Sequence, residues 1–413
     1  MSRLPLEGRT VVDLTTALSG PYATLLLAGL GARVIKIENP GTGGDSSRNN
    51  SPYVTGQGIS PQRERPDDMS ISMLMRGRNK ESVVLDLKQP LGREVLLDLV
   101  EVADVLVENF SAGVTARLGV DYASVRARNP RLVYTSISGF GAAGAGSGTG
   151  KAMDTIIQAM SGVMMTAGGA GDAPIRFGLP VADMVAPLYA VIGTLAAVLH
   201  AEHTGEGQHV DVSMLGALTS MLATEPFNVY ERLGLPQRTG RYVPRLAPFG
   251  LFEAKDAWFA LCAPVDHLAG GVLRAIGRPE LLDDPRFATR DGRVAAADEL
   301  HAMISDWAAG RPVADVIETM TSHGAPAAQV MEPVDAVRDP LVLQRREVVP
   351  ILPEGLTEQD TIYAPGMPMV MSGTPLSLDR PAPRLGADTL AVLRELLGYG
   401  DDRVDTLRSG GVL

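Results

Sequence analysis

A single carboxylate, Asp183, occurs where plain packing does not require one, in the segment GLPVADMVAPLYAVIGTLAAVLH. It follows Pro180 and opens an apolar run whose spacing is typical of a buried helix. The residues leave two interpretations open. Asp183 is either a helix N-cap whose oxygen accepts a backbone N–H, or a carboxylate with a functional role. The elements that position it must decide between them.

The composition is that of a large soluble enzyme. The 413 residues exceed the size at which single cores stop growing, so two domains are expected. The first residues lack the apolar stretch of a signal peptide, and we find no run of about 18 uncharged apolar residues that fits a membrane span. We therefore expect a cytoplasmic protein with no membrane partner. A net charge of -11 argues against a nucleic-acid partner.

Neither disulfide nor metal chemistry is indicated. Cys262 is the single cysteine, so an internal disulfide and a Cys-based metal cluster are excluded, and its apolar neighbours indicate a buried strand. The spacing of His200, His203 and His209 fits no zinc pattern, so we predict no metal site. A Gly-x-Ser-x-Gly elbow typical of α/β hydrolases is also not apparent.

Strand and helix patterns alternate in the first part of the chain. We predict strands over 10–14, 34–38, 82–87, 105–108 and 132–137, and helices over 20–27 and 91–102. This alternation predicts an α/β fold with a Rossmann-like open parallel sheet. The loop from Thr15 to Gly20 then lies at the carboxyl edge of the sheet, where such folds bind ligands, and it leads into a helix N-terminus at Pro21.

A second domain is predicted after a break in regularity. A helix over 212–223 is followed by scattered Gly and Pro residues up to Pro248. We predict a large domain over 1–224, a linker with a smaller α+β domain over 225–330, and a return to the large domain over 331–413. In the smaller domain GLFEA and WFALCA are typical of strands and precede helices over 268–276 and 295–307, and a last helix is predicted over 389–397.

Two Gly-rich runs are not nucleotide-binding motifs. Gly29-Leu30-Gly31 lies at the end of the first helix, where glycine acts as a C-cap. The run AGSGTGKA from Ala145 lacks the first Gly and the final Ser or Thr of a P-loop. We interpret the region from Gly139 to Gly150 as a loop close to a site, whose backbone N–H groups could stabilise an oxyanion.

Seven segments together carry a family resemblance. They are LEGRTVVDLTTALSGPYATLLLAGLGARVIKIENPGTGGDSSR from Leu6, RNKESVVLDLK from Arg78, DVLVENFSAGVTARLG from Asp104, the Asp183 segment, HTGEGQHVDVSM from His203, DDPRFATRDGR from Asp283 and PRLGADT from Pro383. In this order the chain resembles, over nearly its whole length, the family III CoA-transferases, which include formyl-CoA transferase and carnitine CoA-transferase, together with the related alpha-methylacyl-CoA racemases. The resemblance implies that Asp183 is the nucleophile and that two copies interlock as a homodimer.

CoA is strongly anionic, so an acidic chain that binds it must gather basic residues at one place. The segment MRGRNK is one such cluster, although a charged run is more often a solvated face. The resemblance implies CoA-binding residues of three kinds. They are Thr16, Ala17, Leu18 and Ser19 after the first strand, the basic residues Lys36, Arg48, Arg76, Lys80 and Arg117, and the further residues Asn109, Phe110, Phe140 and Asp154. For Asp154 we favour a second interpretation, as the cap of a helix over 155–160.

The resemblance implies a transferase of sulfur-containing groups that moves CoA from an acyl-CoA donor to a carboxylic acid acceptor. Asp183 attacks the thioester carbonyl to give a mixed anhydride and CoA thiolate, and the thiolate then forms an aspartyl-CoA thioester. The acceptor acid runs the two steps in reverse. A CoA thioester is therefore expected as a substrate, and no cofactor is expected to be bound permanently.

Two other functions are weighed against this one. A racemase needs a base on each side of the substrate α-carbon, and the related racemases use a Gly-His-Asp motif, where this chain has Ala152-Met153-Asp154. Met153 cannot accept a proton at neutral pH. A non-catalytic CoA-binding protein would be expected to lose the nucleophile, and Asp183 is present.

Several arginines bear on the identity of the acceptor acid. Arg176, Arg241 and Arg245 are available to pair with a second carboxylate, which favours a dicarboxylic acid such as succinate, although exposed arginines need no such partner. No tetraglycine run of the kind that shields the site in some relatives occurs between Phe249 and Trp258.

Overall fold

The computed structural model describes residues 4–144 and 152–413. The chain forms two compact units. The large unit contains Met1–Ser161, Phe177–Thr224 and Val337–Leu413, and the small unit contains Gly162–Arg176 and Glu225–Ala336. The last 77 residues of the chain thus return to the unit in which it begins.

The strands in the described residues have the following bounds. They are β1 (Thr10–Asp13), β2 (Arg33–Glu38), β3 (Tyr53–Thr55), β4 (Gly58–Ser60), β5 (Met69–Ser70), β6 (Lys80–Val84), β7 (Val105–Glu108), β8 (Val133–Ser138), β9 (His209–Ser213), β10 (Phe249–Glu253), β11 (Trp258–Cys262), β12 (Ala327–Gln329), β13 (Val348–Ile351) and β14 (Ile362–Pro365).

The α-helices alternate with these strands. They are α1 (Ser19–Gly29), α2 (Ile71–Arg76), α3 (Pro90–Val102), α4 (Val114–Leu118), α5 (Tyr122–Arg126), α6 (Asp154–Ser161), α7 (Val181–Thr204), α8 (Met214–Leu222), α9 (Phe227–Leu233), α10 (Asp266–Ala275), α11 (Pro285–Ala288), α12 (Arg290–Ala295), α13 (Ala297–Ala308), α14 (Val313–Ser322), α15 (Pro333–Ala336), α16 (Pro340–Gln344), α17 (Thr389–Leu397) and α18 (Asp401–Ser409).

The large unit is built on a parallel sheet with the strand order β6-β2-β1-β7-β8-β9. If only these six strands are numbered in chain order, their order across the sheet is 3-2-1-4-5-6. This is the strand order of doubly wound Rossmann-type folds. The direction of strand addition reverses between β1 and β7, so the loops that follow these two strands diverge and open a crevice at the carboxyl edge. The predicted Rossmann-like α/β fold is confirmed.

The central strands are buried because helices cover both faces of the sheet. Val12, Ile35 and Leu106 pack in one cluster with Leu96 of α3 and Leu393 of α17. The returning C-terminal segment therefore supplies part of the core and is not an appendage.

Charged side chains are buried at the carboxyl edge of this sheet. Lys80 Nζ lies 3.1 Å from Asp13 Oδ2, and Lys36 Nζ lies 2.6 Å from Asp45 Oδ2, with all four side chains at most 1% exposed. Burial lowers the pKa of Lys80 to about 8, and Asp13 opposes this shift. Lys36 and Asp45 join β2 to the segment that follows it, and Lys80 and Asp13 join β6 to β1.

One strand of the sheet differs from the sequence prediction. A helix was expected over 212–223, but His209–Ser213 forms β9, which pairs in parallel with β8 through Ser136 and Asp211. Ser213 then caps α8, because its hydroxyl accepts the Gly216 N–H at 3.0 Å. The short polar and β-branched run HVDVS is stabilised by pairing with a distant strand, which local helical periodicity does not reveal.

The small unit also departs from the predicted boundaries of 225–330. It contains Gly162–Arg176 and extends to Ala336. Arg238, which is buried, donates to the carbonyls of Ala167, Asp172 and Ala173 and so ties the 162–176 segment to this unit. One side chain contacts carbonyls more than sixty residues away, and sequence periodicity carries no signal of that contact.

An antiparallel sheet β10-β11-β12 and its helices form the small unit, as the predicted α+β class requires. Phe252, Phe259, Phe287 and Leu300 lie in its core. Arg293 is fully buried there and donates to three carbonyls and to Asp266 Oδ1. Arg293 therefore stabilises the fold of the small unit.

We predict that a buried histidine makes the small unit sensitive to acid. His301 Nε2 is buried without a hydrogen-bond partner, and the ring stacks on Tyr242 with centroids 4.1 Å apart and lies edge-on to Phe252. Burial lowers the pKa of His301, and Asp298 opposes this shift. The unfolded chain therefore binds the proton more readily. The stability contributed by the neutral ring is present above about pH 6.5 and is lost as the pH falls below it.

His301→Phe should flatten the dependence of the free energy of unfolding on pH between about pH 7 and pH 5.5, as measured by urea denaturation. The exposed His267 provides the control, because His267→Phe should keep the native slope. Equal slopes in the two variants would show that His301 does not carry the effect.

Candidate active site

The loops that follow β1 and β7 line a cavity of about 360 Å³ in the large unit. This is the crevice expected where the strand order reverses. Asp183 lies in its wall together with most of the predicted binding residues, namely Thr16, Ala17, Leu18, Ser19, Asn109, Phe110, Phe140 and Asp154.

Asp183 is in the first turn of α7 and does not occupy the cap position. The cap residue is Pro180, whose side chain makes no capping bond. Ala182 and Ala186 on the same helix are buried, whereas Asp183 is half-buried and faces the cavity. Of the two interpretations left open by the sequence, the geometry therefore disfavours the N-cap.

The surroundings of Asp183 destabilise its charge. Burial, and to a smaller extent the Asp154 carboxylate, raise the pKa of Asp183 to about 6, and the Arg76 guanidinium opposes this shift. No hydrogen bond within the described residues stabilises the Asp183 carboxylate. A carboxylate of raised pKa is a better nucleophile than an ordinary one and is still mostly ionised at neutral pH.

Asp154 caps a helix, but not the one that we expected. It is the first residue of α6, and its Oδ1 accepts the N–H of Ala182 in the first turn of α7 at 2.8 Å. Its Oδ2 accepts from Gln158 Nε2 at 2.7 Å. The prediction that Asp154 caps the helix over 155–160 is therefore wrong, and Asp154 instead caps α7. This hydrogen bond holds Ala182, the residue next to Asp183, in place.

Gln158 is a positioning residue that the sequence analysis missed. It is fully buried, donates to the carbonyl of Leu179 at 3.2 Å and accepts the Phe177 N–H at 2.9 Å. Both contacts hold the segment that leads into α7. The available signal was an amide side chain one helical turn after Asp154, on the same face of α6.

Arg76 is the basic residue that interacts with Asp183. It ends α2, and its guanidinium interacts electrostatically with Asp183 and Asp45. Its Nε is buried without a hydrogen-bond partner, and burial lowers the pKa of Arg76. Arg76 does not line the cavity, so it acts on Asp183 through the field of its charge.

Three other predicted basic residues lie behind the cavity wall. Lys36 and Lys80 are held in the buried ion pairs described above, and Arg48 forms an ion pair with Glu38 at 2.6 Å. The structure therefore does not bring them to the cavity, because the pairs of Lys36 and Arg48 join β2 to the segment after it and the pair of Lys80 joins β6 to β1. Arg78 of the same cluster is also buried and donates to backbone carbonyls.

A second cavity of about 250 Å³ adjoins the first, since Thr16 and Phe110 line both. Its wall is largely apolar, with Leu14, Ile37, Leu85, Leu87 and Leu118, and carries Lys88 at its edge. The predicted residue Arg117 precedes Leu118 in the last turn of α4.

The Gly-rich loop is anchored by β9 and α8. Gly141 N donates to Ser138 Oγ at 3.0 Å and Ala142 N to Asp211 Oδ2 at 2.8 Å, and the Gly139 carbonyl accepts from Leu215 N at 3.0 Å. Gly139, Phe140 and Gly141 line the cavity. The remainder of the predicted loop, 145–150, lies outside the described residues.

A half-buried carboxylate of raised pKa, in the wall of the crevice at the strand-order reversal of a Rossmann-type sheet, is typical of an enzyme active site. The family model of CoA-transferase family III matches residues 6–389, so the chain belongs to this family. It is 36% identical over 394 residues to the acetyl-CoA:oxalate CoA-transferase of Acetobacter aceti, and this alignment covers 95% of each of the two chains. It is 34% identical to the succinate–glutarate CoA-transferase of Agrobacterium fabrum, covering 95% of this chain and 96% of that one.

A solved structure has the same fold. A CaiB/BaiF family protein from Brucella suis matches with a TM-score of 0.80 and 31% identity, over 96% of this chain and 100% of that one. The chain is a CoA-transferase that moves CoA between an acyl-CoA thioester and a carboxylic acid. The racemase alternative gains no support, because exposed Met153 lines the cavity where a second base would be required.

The charges around Asp183 predict how activity varies with pH. A nucleophilic Asp183 would have to be ionised, so kcat/KM should fall at acid pH with an apparent pKa of about 6. Arg76→Gln removes the charge that lowers this pKa, and we expect the acid limb to move up by about one pH unit. Rates measured between about pH 5 and pH 8 test this. Arg128→Gln, which removes an exposed arginine of a surface ion pair, is the control. An unchanged acid limb in Arg76→Gln would contradict the prediction.

Proposed function

We propose that this CoA-transferase works through covalent intermediates on Asp183. The observation that carries the proposal is the half-buried Asp183 carboxylate of raised pKa in the wall of the cavity. A carboxylate held in this way can attack a thioester, and covalent transfer replaces one difficult exchange with several easier ones.

The steps balance as follows. An Asp183 oxygen bonds to the donor carbonyl carbon, the C–S bond breaks, and CoA leaves as a thiolate with a mixed anhydride on the enzyme. The thiolate attacks the Asp183 carbonyl carbon, the donor acid leaves as a carboxylate, and Asp183 becomes a CoA thioester. The acceptor carboxylate then attacks this thioester to give a new anhydride. The released thiolate attacks the acceptor carbonyl, which yields the product thioester and restores Asp183.

The two adjoining cavities support a way of binding CoA. The cavity at Asp183 takes the thioester end, and the apolar cavity beside Leu85 and Leu118 takes the adenine, with Lys88 near the phosphates. Lys88→Glu should weaken CoA several-fold but leave the affinity for a pantetheine thioester unchanged, because only CoA carries phosphates. Calorimetric titration with both ligands tests this. An equal effect on both would remove Lys88 from the phosphate site.

For the acceptor we propose a dicarboxylic acid. Support comes from similar proteins, since the two transferases above are named for oxalate and for glutarate, and a relative from Haloarcula hispanica that is 35% identical is a succinyl-CoA:mesaconate CoA-transferase. The arginines suggested by the sequence support it less, since Arg245 forms an ion pair with Glu225 and Arg241 stacks on Trp258. Rates with oxalate, succinate, glutarate and mesaconate, compared with acetate and butyrate, test the proposal. Equal rates for the monocarboxylates would contradict it.

The covalent route is tested by mass spectrometry of the intact protein and of its peptides after incubation with a panel of acyl-CoA donors. Borohydride reduction traps any enzyme thioester. A donor-dependent change on the peptide that contains Asp183 is expected. No adduct with any donor, together with α-proton exchange of a branched acyl-CoA in deuterated water, would instead favour racemase chemistry.

A homodimer is proposed from the resemblance and from exposed apolar side chains of the large unit. Leu188, Ile192 and Leu199 of α7 are each about half exposed or more, as is Met160 of α6. By length and composition alone α7 could cross a membrane, but it packs on α1, β8 and β9. A second copy covering this face would explain the exposure without lipid. Sedimentation in detergent-free buffer should give the mass of a dimer, and a protein that stays monomeric or needs detergent would contradict it.

A cytoplasmic location and the absence of a permanently bound cofactor stay predictions. The lone Cys262, with no partner for a disulfide, fits a reducing compartment. Fractionation of cells and mass spectrometry of the native protein would test the two predictions.

A further inference from the structure

The turn between β1 and α1 contains a strained residue in the cavity wall. Ala17 has a φ of 68°, in the left-handed region, and lines the cavity that holds Asp183. For a residue with a Cβ this conformation costs about 1–2 kcal/mol. Contacts outside the turn must therefore hold it in place.

One side of the turn is held by Asp45. Its Oδ1 accepts the Ala17 N–H at 2.9 Å and the Thr16 hydroxyl at 3.1 Å. Its Oδ2 lies 2.6 Å from Lys36 Nζ, and both side chains are 1% exposed. Lys36 also donates to the Thr15 carbonyl at 2.8 Å. The buried pair thus reaches three successive residues of the turn.

The other side is held by Asn109. Its Oδ1 accepts the Thr16 N–H at 2.9 Å, and its Nδ2 donates to the Thr16 carbonyl at 2.9 Å and to the Ser19 hydroxyl at 3.2 Å. The packing is tight as well, since a Cβ on Gly20 would lie 2.3 Å from Thr15 and 3.0 Å from Asn109. The turn is therefore clamped between a buried ion pair and one amide.

The clamp determines where the next residues of the wall lie. Leu18 and Ser19 follow Ala17 at the start of α1, and both line the cavity. If Ala17 relaxed to a negative φ, the direction of the chain would change at this point, and Leu18 and Ser19 would move relative to Asp183.

We propose that the buried Lys36–Asp45 pair positions the cavity wall for the transfer step. The pair holds Ala17 in the left-handed conformation and so places the Thr16–Ser19 wall against the reacting carbonyl. The proposal rests on the covalent route through Asp183. Lys36 lines neither cavity and Asp45 lines only the adjoining one, so the pair acts on the transfer step through the turn. Their loss should reduce kcat more than it raises KM for the acyl-CoA, because misplacement of a wall by about 1 Å can cost about 10²-fold in rate.

Asp45→Ala and Asp45→Asn are compared in two backgrounds, the native chain and Ala17→Gly. In the native chain we expect Asp45→Ala to lower kcat by about 10²-fold with KM changed less than about threefold. Asp45→Asn keeps an acceptor for the Ala17 N–H and should lose less. In the Ala17→Gly background both losses should shrink at least about fivefold, since glycine adopts a positive φ without cost.

The control is Asp67→Ala, which removes an exposed carboxylate far from the cavity wall and should leave kcat unchanged. Urea unfolding of each variant confirms that it is folded at the assay temperature. If Asp45→Ala does not fold, the milder Asp45→Asn decides the question in the same two backgrounds.

The outcomes separate this inference from the proposed route. Losses of equal size in both backgrounds, or a change confined to KM, would overturn the positioning role. Failure of the route itself would show as no Asp183 adduct in the native enzyme. If the native enzyme forms the adduct and the Asp45 variants form it as fast, the route stands and the positioning role fails.

Discussion

Replacing Asp183 by alanine should lower kcat by about 10³-fold or more while the Kd for CoA changes less than about threefold. The side chain faces the cavity and makes no hydrogen bond within the described residues, so its removal costs the fold little. Without the carboxylate no anhydride can form, and each transfer step depends on it. Steady-state rates and calorimetric titration with CoA measure the two effects.

Asp183→Asn is the closer mimic in shape, but deamidation can restore the native residue, so its residual rate should be compared with that of Asp183→Ala. Asp401→Asn, which changes an exposed residue at the start of α18, controls for the general loss of a carboxylate. Turnover within about tenfold of native in Asp183→Ala would remove Asp183 as the nucleophile.

Replacing Lys80 by methionine should lower the free energy of unfolding by about 3–5 kcal/mol, because the variant leaves the buried Asp13 without one of its partners. Lys80 Nζ contacts Asp13 Oδ2, the Thr24 hydroxyl at 2.7 Å and the Pro21 carbonyl at 2.9 Å. All of these partners belong to the large unit itself. The affinity of the folded variant for CoA should therefore stay near the native value.

The matched control is Lys88→Met, since Lys88 is exposed and lies at the edge of the apolar cavity. It should show the opposite pattern, with weaker CoA binding and nearly unchanged urea denaturation. A Lys80→Met protein of native stability that binds CoA poorly would return Lys80 to the binding site, as the sequence first suggested.

Much of the large unit was predictable because its signals are local. The strand over 105–108 and the helix over 389–397 have their predicted bounds, although this helix is not the last one, because α18 follows it. Apolar runs of strand length, and helices with a regular apolar stripe, report their own conformation. β9 was missed because HVDVS becomes a strand only by pairing with β8.

The candidate site was also predictable only where its residues have local signals. Thr16 to Ser19, Asn109 and Phe110 follow strands, so their place at the carboxyl edge follows from the order of elements along the chain. The basic residues could not be sorted in this way. The sequence around a lysine in a strand does not show whether its ammonium group binds a ligand or pairs with a buried carboxylate from elsewhere in the chain.

By itself the sequence determined the Rossmann-like order of the elements and the family, and the family resemblance singled out Asp183 as the candidate nucleophile. Tertiary structure alone decided that Lys36 and Lys80 form ion pairs with buried carboxylates inside the protein. It also decided that Asp154 caps α7 from 28 residues away. The physical reason is that periodicity and capping motifs act over a few residues, whereas burial, ion pairing and the raised pKa of Asp183 depend on groups that only folding brings together.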